Sequence, residues 1–147
     1  MGVCISTFYL SDNVLFTIKY NRFYDNTGDF GVALNFEHRG GLAYVTNNIF
    51  RNQINPTKPI GGGLSIKLSG DFRTRVISSN NIHNDSWSAG FGVIIMFSSY
   101  LEETNSSFYN NYAFGGCLFC LFQAAEFKAT NLSIFNTSGS LGFYFIM

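Results

Sequence analysis

Acid–base chemistry on a polymeric substrate needs two titratable groups that converge on one bond. Nine Lys and Arg, nine Asp and Glu and two His in 147 residues leave few places to find them. One set stands out because it recurs. Asp25, Arg51 and His83 each immediately precede an asparagine, Asn26, Asn52 and Asn84, that marks the same place in successive sequence repeats. In a stacked-strand fold these three residues point outward on consecutive rungs about 4.8 Å apart. Carbohydrate-active β-helix enzymes, polysaccharide lyases or hydrolases, put acids, often with Lys or Arg, on the outside of neighbouring coils, and this row is a titratable set within hydrogen-bond reach. The row continues as Asn110 and Phe135, and Asp29, Asp71 and Asp85 fall at other places in the repeat, so no second acid joins Asp25. The expected reading is a solvated charge ladder of small energetic value, with no catalytic residue in this segment and the Asp25–Arg51–His83 row as the alternative.

Other chemistry is thinner. Cys117 and Cys120 form a CxxC, but no second pair or histidine cluster completes a zinc site. Cys4 makes an odd total of three. An extended strand would turn Cys117 and Cys120 to opposite faces and leave Cys4 four rungs away, so no disulfide is expected. His38 and His83 have no partners at ligand spacing, and no metal or cofactor is expected. Gly61-Gly-Gly63 and Gly90-Phe-Gly92 lack the Gly-Lys-Ser/Thr and following helix of a phosphate loop. Zero net charge and a pI near 6.7 supply no basic surplus for phosphates, which excludes nucleic acid as an expected partner. The apolar runs are strand-sized, so no transmembrane segment is expected, and no signal peptide is recognisable in the chain.

These side chains must be positioned by a repeat. Glycine followed by apolar residues at its first and third places occurs at Gly2, Gly31, Gly63, Gly92, Gly116 and Gly142, in steps of 29, 32, 29, 24 and 26 residues. The first places hold Val3, Val32, Leu64, Val93, Cys117 and Phe143; the third hold Ile5, Leu34, Ile66, Ile95, Phe119 and Phe145. Alternation of this kind marks strands with one buried face. Between the glycines an apolar residue leads by two places to Asn26, Asn52, Asn84, Asn111 and Asn136, which reads as an inward amide ladder bonded from rung to rung. Counting back from each asparagine pairs Arg75 with Glu102 and Glu103 with Lys128. Gly, Asn, Ser and aromatics dominate and helical spacing is absent. Repeats of about 28 residues with two or three short strands bury their apolar faces only by stacking. The expected fold is all-β, a right-handed parallel β-helix of about five coils, with residues 1–147 a single segment.

Two tetrapeptides carry a family resemblance. Phe23-Tyr-Asp-Asn26 and Phe108-Tyr-Asn-Asn111 match FxxN, and Gly62-Gly-Leu-Ser and Gly115-Gly-Cys-Leu are degenerate forms of GGA(I/L/V). In these motifs the chain resembles the polymorphic outer-membrane-protein repeats of the right-handed, pectin-lyase-like β-helix superfamily. The resemblance implies a structural or adhesive module of a surface or secreted protein.

Three surface features complete the expectations. At the outward second and fourth places the late rungs hold Ile94, Met96, Leu118, Cys120, Tyr144 and Ile146, an apolar patch expected to be a partner surface or to be covered by the remainder of a parent chain. Uncapped solenoid ends suggest a piece of a longer array, or an assembly subunit that stacks through its open ends. N-x-S/T sequons occur at Asn84, Asn105, Asn131 and Asn136, but the inward ladder would hide Asn84 and Asn136, so in an Asn/Ser/Thr-rich chain they read as chance occurrences rather than as the mark of a glycosylated ectodomain. Carbohydrate is the remaining candidate partner.

Overall fold

The computed structural model describes residues 5–9, 14–28, 33–38, 40–56, 66–70, 74–88, 94–114, 118–122, 126–139 and 143–146. The six coil-opening glycines and the first-place residues Val3, Val32, Leu64, Val93 and Cys117 lie outside this set. The described residues form strands and no helix, and every strand pairing is parallel.

Four sheets run side by side through the stack. The first pairs Ile5–Tyr9, Leu34–His38, Ile66–Gly70, Ile94–Phe97, Phe119–Phe122 and Phe143–Ile146 in that order. The second pairs Leu15–Lys19, Gly41–Thr46, Thr74–Ser79, Tyr100–Thr104 and Glu126–Thr130. A third, of three-residue strands, contains Arg22–Tyr24, Ile49–Arg51, Ile82–Asn84, Ser107–Tyr109 and Ser133–Phe135. The fourth contains Ile54–Asn55, Trp87–Ser88, Tyr112–Ala113 and Ser138–Gly139. Each chain segment passes from one sheet to the next and then climbs a rung, which makes the protein a parallel β-solenoid.

Single residues make the corners. Between the second and third sheets, Tyr20, Asn47, Asn80, Asn105 and Asn131 all have φ between 51 and 59°. Between the third and fourth, Asp25, Asn52, Asp85, Asn110 and Asn136 have φ between 47 and 56°. Asn and Asp are the non-glycine residues that tolerate this left-handed region best, because a short polar side chain can bond locally. The lateral ladder passes through the corners unbroken: Asn47 N–H donates to Ser79 O at 3.0 Å, and Asp85 N–H to Tyr109 O at 3.2 Å.

One residue after each corner the chain points inward again, and there the interior is polar. Asn48 accepts the Asn21 backbone N–H at 3.0 Å and its Nδ2 donates to Ile18 O at 2.9 Å. Asn81 repeats both bonds one rung on, to Asn48 N at 2.8 Å and Val45 O at 2.8 Å. After the second corner Gln53 accepts from Asn26 Nδ2 at 2.8 Å and donates to Phe23 O at 2.7 Å, while Asn111 accepts from Ser86 N at 3.2 Å and donates to His83 O at 2.9 Å. The inward amide ladder is therefore two ladders, Asn21–Asn48–Asn81–Ser106 and Asn26–Gln53–Ser86–Asn111. Of the residues expected in one ladder, Asn26 and Asn111 belong. Asn52 and Asn136 are corner residues, and Asn84 pairs with Arg51 and Tyr109 on the third sheet. Asn52 and Asn136 lie one residue before the ladder place of their rungs, and Asn84 lies two before Ser86.

The apolar core follows the same register. Phe23, Phe50, His83 and Phe108 share one inward column, with ring centroids 4.9, 4.8 and 4.3 Å apart and planes within 10°. Opposite lie Leu34, Ile94 and Phe119, all buried. Ile94, not Ile95, is in register with Ile66 and Phe119. The Gly92 rung thus reaches the core column one residue earlier than glycine counting indicates, and Ile94 is core rather than partner surface. Leu118 and Cys120 are also buried, at 7% and 0% exposure, so they form no exposed patch. The Met96, Tyr144 and Ile146 side chains lie outside the described set.

Cys120 is disulfide-bonded. This overturns the expectation of three free thiols; its partner, Cys4 or Cys117, lies outside the described residues. Strand alternation does not run through this segment: Leu118 lies in a bend, the strand begins only at Phe119, and Leu118, Phe119 and Cys120 are all buried.

Truncating Asn81 to Ala leaves the buried Val45 carbonyl and Asn48 N–H without these partners and is expected to cost about 3 kcal/mol or more. Phe50→Ala opens the ring stack at about 3–5 kcal/mol, while Thr17→Ala, on the solvent face, stays within about 0.5 kcal/mol. Urea unfolding of the three variants measures this ranking, and equal losses would refute the facing described.

Candidate functional site

The second corner gathers the charged groups. Tyr24, Asp25, Arg51, Asn52 and Asp85 line a shallow, predominantly polar cleft of about 390 Å³ on the outside of the stack. Asp25 and Arg51 meet there as expected, but His83 does not. It sits inside, fully buried between Phe50 and Phe108, with neither ring nitrogen hydrogen-bonded. The outward place on its rung belongs to Asn84, in register with Arg51. The Asp25–Arg51–His83 row is thus corrected to an Asp25–Arg51–Asp85 grouping.

Asp85 is the acid that spacing from the asparagines assigned elsewhere. It occupies the same corner position as Asp25, two rungs away, or about 10 Å at ~4.8 Å per rung. Asn52 Nδ2 donates to Asp25 Oδ1 at 2.7 Å, and Asn110 Nδ2 to Asp85 Oδ1 at 3.0 Å. Arg51 Nε lies 3.6 Å from Asp85 Oδ2, with side chains 59% and 40% exposed, so water screens the pair to about 0–1 kcal/mol. Five consecutive corner residues would have revealed this grouping. The usable signal was the constant five-residue interval from Asn47 to Asn52, Asn80 to Asp85 and Asn105 to Asn110.

Other charges follow the true register too. Lys128 Nζ pairs with Glu102 Oε1 at 2.8 Å, holding that carboxyl below its usual range, and Arg75 lies 4.7 Å over the Tyr100 ring. Glu103, expected opposite Lys128, points inward and is fully buried. Ser106 Oγ donates to its Oε1, nearby Ser78 and Asn81 offset part of the effect of burial on the carboxyl, and Oε2 has no partner. No group of three or more His, Cys, Asp or Glu able to hold a metal occurs among the described residues. No helix among them is long and apolar enough to cross a membrane.

No family model, curated protein or solved structure matches the chain. Two carboxylates and a guanidinium, open to water and spaced by rungs, can accept and donate hydrogen bonds to a hydroxyl-rich molecule laid along the stack.

The two buried titratable groups give opposite pH dependences. Burial pushes Glu103 up from 4.5 to about 7, and it pushes His83 down from 6.5 to about 3. Glu103 stays protonated in the fold between about 4.5 and 7 while the unfolded chain loses that proton, so its contribution to stability falls as pH rises, by about 1.4 kcal/mol per unit. His83 stays neutral in the fold while the unfolded chain takes up a proton between about 6.5 and 3, so its contribution falls as pH drops. The two slopes cancel between about pH 4.5 and 6.5. Relative to the parent chain, His83→Phe is expected to lose stability progressively from pH 4.5 to 6.5, and Glu103→Gln to gain it over the same span. Denaturant midpoints across that range test this, and variant curves parallel to the parent would refute it.

Proposed function

We propose that this chain is a structural and adhesive β-solenoid module of a surface or secreted protein, which presents the second-corner cleft to a glycan and carries no catalysis. The observation behind this reading is how the corner's polar groups are engaged. Asp25, Asp85 and Asn110 each accept a side-chain amide from the adjacent rung. They are held at rung spacing instead of converging on one bond.

That arrangement suits recognition of a repeating hydroxylated polymer. Carboxylates accept from sugar hydroxyls, Arg51 donates to ring and hydroxyl oxygens with a preorganised fork, and Tyr24, 36% exposed, supplies an apolar edge. The likeness of Phe23-Tyr-Asp-Asn26 and Phe108-Tyr-Asn-Asn111 to FxxN repeats supports the same reading, since such repeats imply surface and adhesive roles. A hydrolytic alternative would use Asp25 and Asp85. Their spacing of about 10 Å is far beyond the ~5–5.5 Å of retaining glycosidases and just beyond the ~6.5–9.5 Å of inverting ones.

Asp25→Asn with Asp85→Asn, and separately Arg51→Ala, are expected to weaken binding to immobilised polysaccharides at least tenfold, or about 1.4 kcal/mol, with unchanged circular dichroism. Surface plasmon resonance across neutral, acidic and basic glycans reads the effect. Variants that bind like the parent, or release of new reducing ends by the parent, would overturn the proposal.

A further inference from the structure

The four N-x-S/T sequons are not equivalent in the fold. Asn105 and Asn131 are apex residues of the first corner, on neighbouring rungs, and Asn136 is an apex residue of the second. All three are exposed. Their third residues are Ser107, half-buried, and Ser133 and Ser138, both exposed. Asn84 differs: it lies within the third sheet at 9% exposure, its Oδ1 is buried without a partner, and its third residue Ser86 is 1% exposed. Asn136, expected to be hidden, is instead accessible, because it turns the corner one residue before the inward ladder position held by Thr137.

We propose that the solenoid corners are N-glycan acceptor sites, with one glycan on the first corner at Asn105 or Asn131 and one on the second at Asn136, and that Asn84 is not an acceptor in the folded protein. The ladder geometry is compatible with the modification. Asn131 Nδ2 donates to Asn105 Oδ1 at 2.8 Å and Asn136 Nδ2 to Asn110 Oδ1 at 2.7 Å, each using one of its two amide hydrogens. In the transfer, Nδ2 attacks the anomeric carbon of a lipid-linked oligosaccharide pyrophosphate. The new N–C bond forms as the anomeric C–O bond breaks, the lipid pyrophosphate leaves with the electron pair, and one amide proton passes to a base. A secondary amide with one N–H remains, and that hydrogen is the one the ladder bond needs.

At Asn84 the same product would have to grow from an outward place that its surroundings already cover to 9% exposure, with Oδ1 buried. Asn105 and Asn131 lie about 4.8 Å apart, so a branched sugar on one crowds the other, which is why the first corner counts as one site. This inference rests on the surface-or-secreted part of the proposed function and not on what the cleft binds, because the secretory leader of the test supplies the compartment and only corner accessibility then decides the outcome.

The test is expression of the whole chain behind a secretory leader in a eukaryotic cell. Glycosylated asparagines are then mapped by mass spectrometry after enzymatic deglycosylation in heavy-oxygen water, on secreted and membrane-retained protein alike. Label on Asn136 and on at least one of Asn105 and Asn131, with Asn84 unlabelled in the protease-resistant fraction, is the expected result. Either corner without label, or Asn84 labelled in that fraction, overturns the proposal. Ser138→Ala removes the second sequon while keeping Asn136 and its ladder bond. It should delete one glycan and leave the protease-resistance profile intact, and an unchanged glycan count would equally refute the assignment.

Discussion

A stack of parallel strands is held by one requirement: each rung must hand its backbone hydrogen bonds to the next without losing a residue at the corners. A single left-handed residue at each of two corners meets it. That residue turns the chain sharply, keeps its own N–H in the lateral ladder, and returns the following residue to the inside. The third sheet consequently has the same three-residue length on every rung, although rung length changes elsewhere by several residues. Stiffness at these corners is what makes the interior columns continuous.

The interior amides lie immediately beyond those corners and solve a second problem. Turning the chain inward brings backbone N–H and C=O groups under the corner, where water does not reach, and an unpaired buried group costs about 1–3 kcal/mol. Asn48 and Asn81 each satisfy one such N–H and one such carbonyl on the preceding rung. On the next rung Ser106 is too short for both. It accepts the Asn81 N–H at 3.0 Å, and Glu103, three residues earlier, reaches in to take its hydroxyl. A buried, neutral carboxyl is a costly substitute. Three surrounding hydrogen-bonding side chains make it tolerable, at the expense of sensitivity to pH. His83 is tolerated for another reason. Its ring continues the phenylalanine stack at 4.3–4.8 Å, and the column uses its shape rather than its nitrogens.

This division explains what the residue pattern disclosed. Alternation and the glycine-led repeats were enough for the parallel solenoid, because they depend on burial, which leaves a period of two. Register was harder. Asparagine serves both at the corner and one residue after it, so Asn52 and Gln53, or Asn110 and Asn111, offer two adjacent phases. Choosing Asn84 as the partner of Asn26 moved His83 to the outside, and choosing Asn136 as the partner of Asn111 put Glu103 opposite Lys128. The core column would have decided the phase, since Phe23, Phe50 and Phe108 align only when Gln53 and Ser86 take the ladder places. A histidine in the phenylalanine column and a glutamate in the column of Ile18, Val45 and Ser78 hid that signal. The Cys120 disulfide was illegible for a related reason: it depends on where a strand starts, which alternation does not mark.

The cleft follows from the same ladder logic carried to the outside. An apex asparagine both accepts from the rung after it and donates to the rung before it, as Asn110 does between Asp85 and Asn136. An aspartate keeps the left-handed conformation and the acceptor but has no amide hydrogen to donate. It therefore fits below an asparagine and breaks the chain of bonds to whatever lies before it. Asp25 sits below Asn52 and Asp85 below Asn110, so the step between Asn52 and Asp85 is where the corner ladder is interrupted. Arg51 fills that step from the side, reaching Asp85 at 3.6 Å. The interruption leaves the Asn52 side-chain oxygen without an amide donor from the Asp85 corner, beside Asp85 Oδ2 and a guanidinium that meet only at 3.6 Å with side chains 40% and 59% exposed. A ligand that donates to the first two and accepts from the third would complete, at this one step, the bonding that asparagines supply elsewhere along the corner.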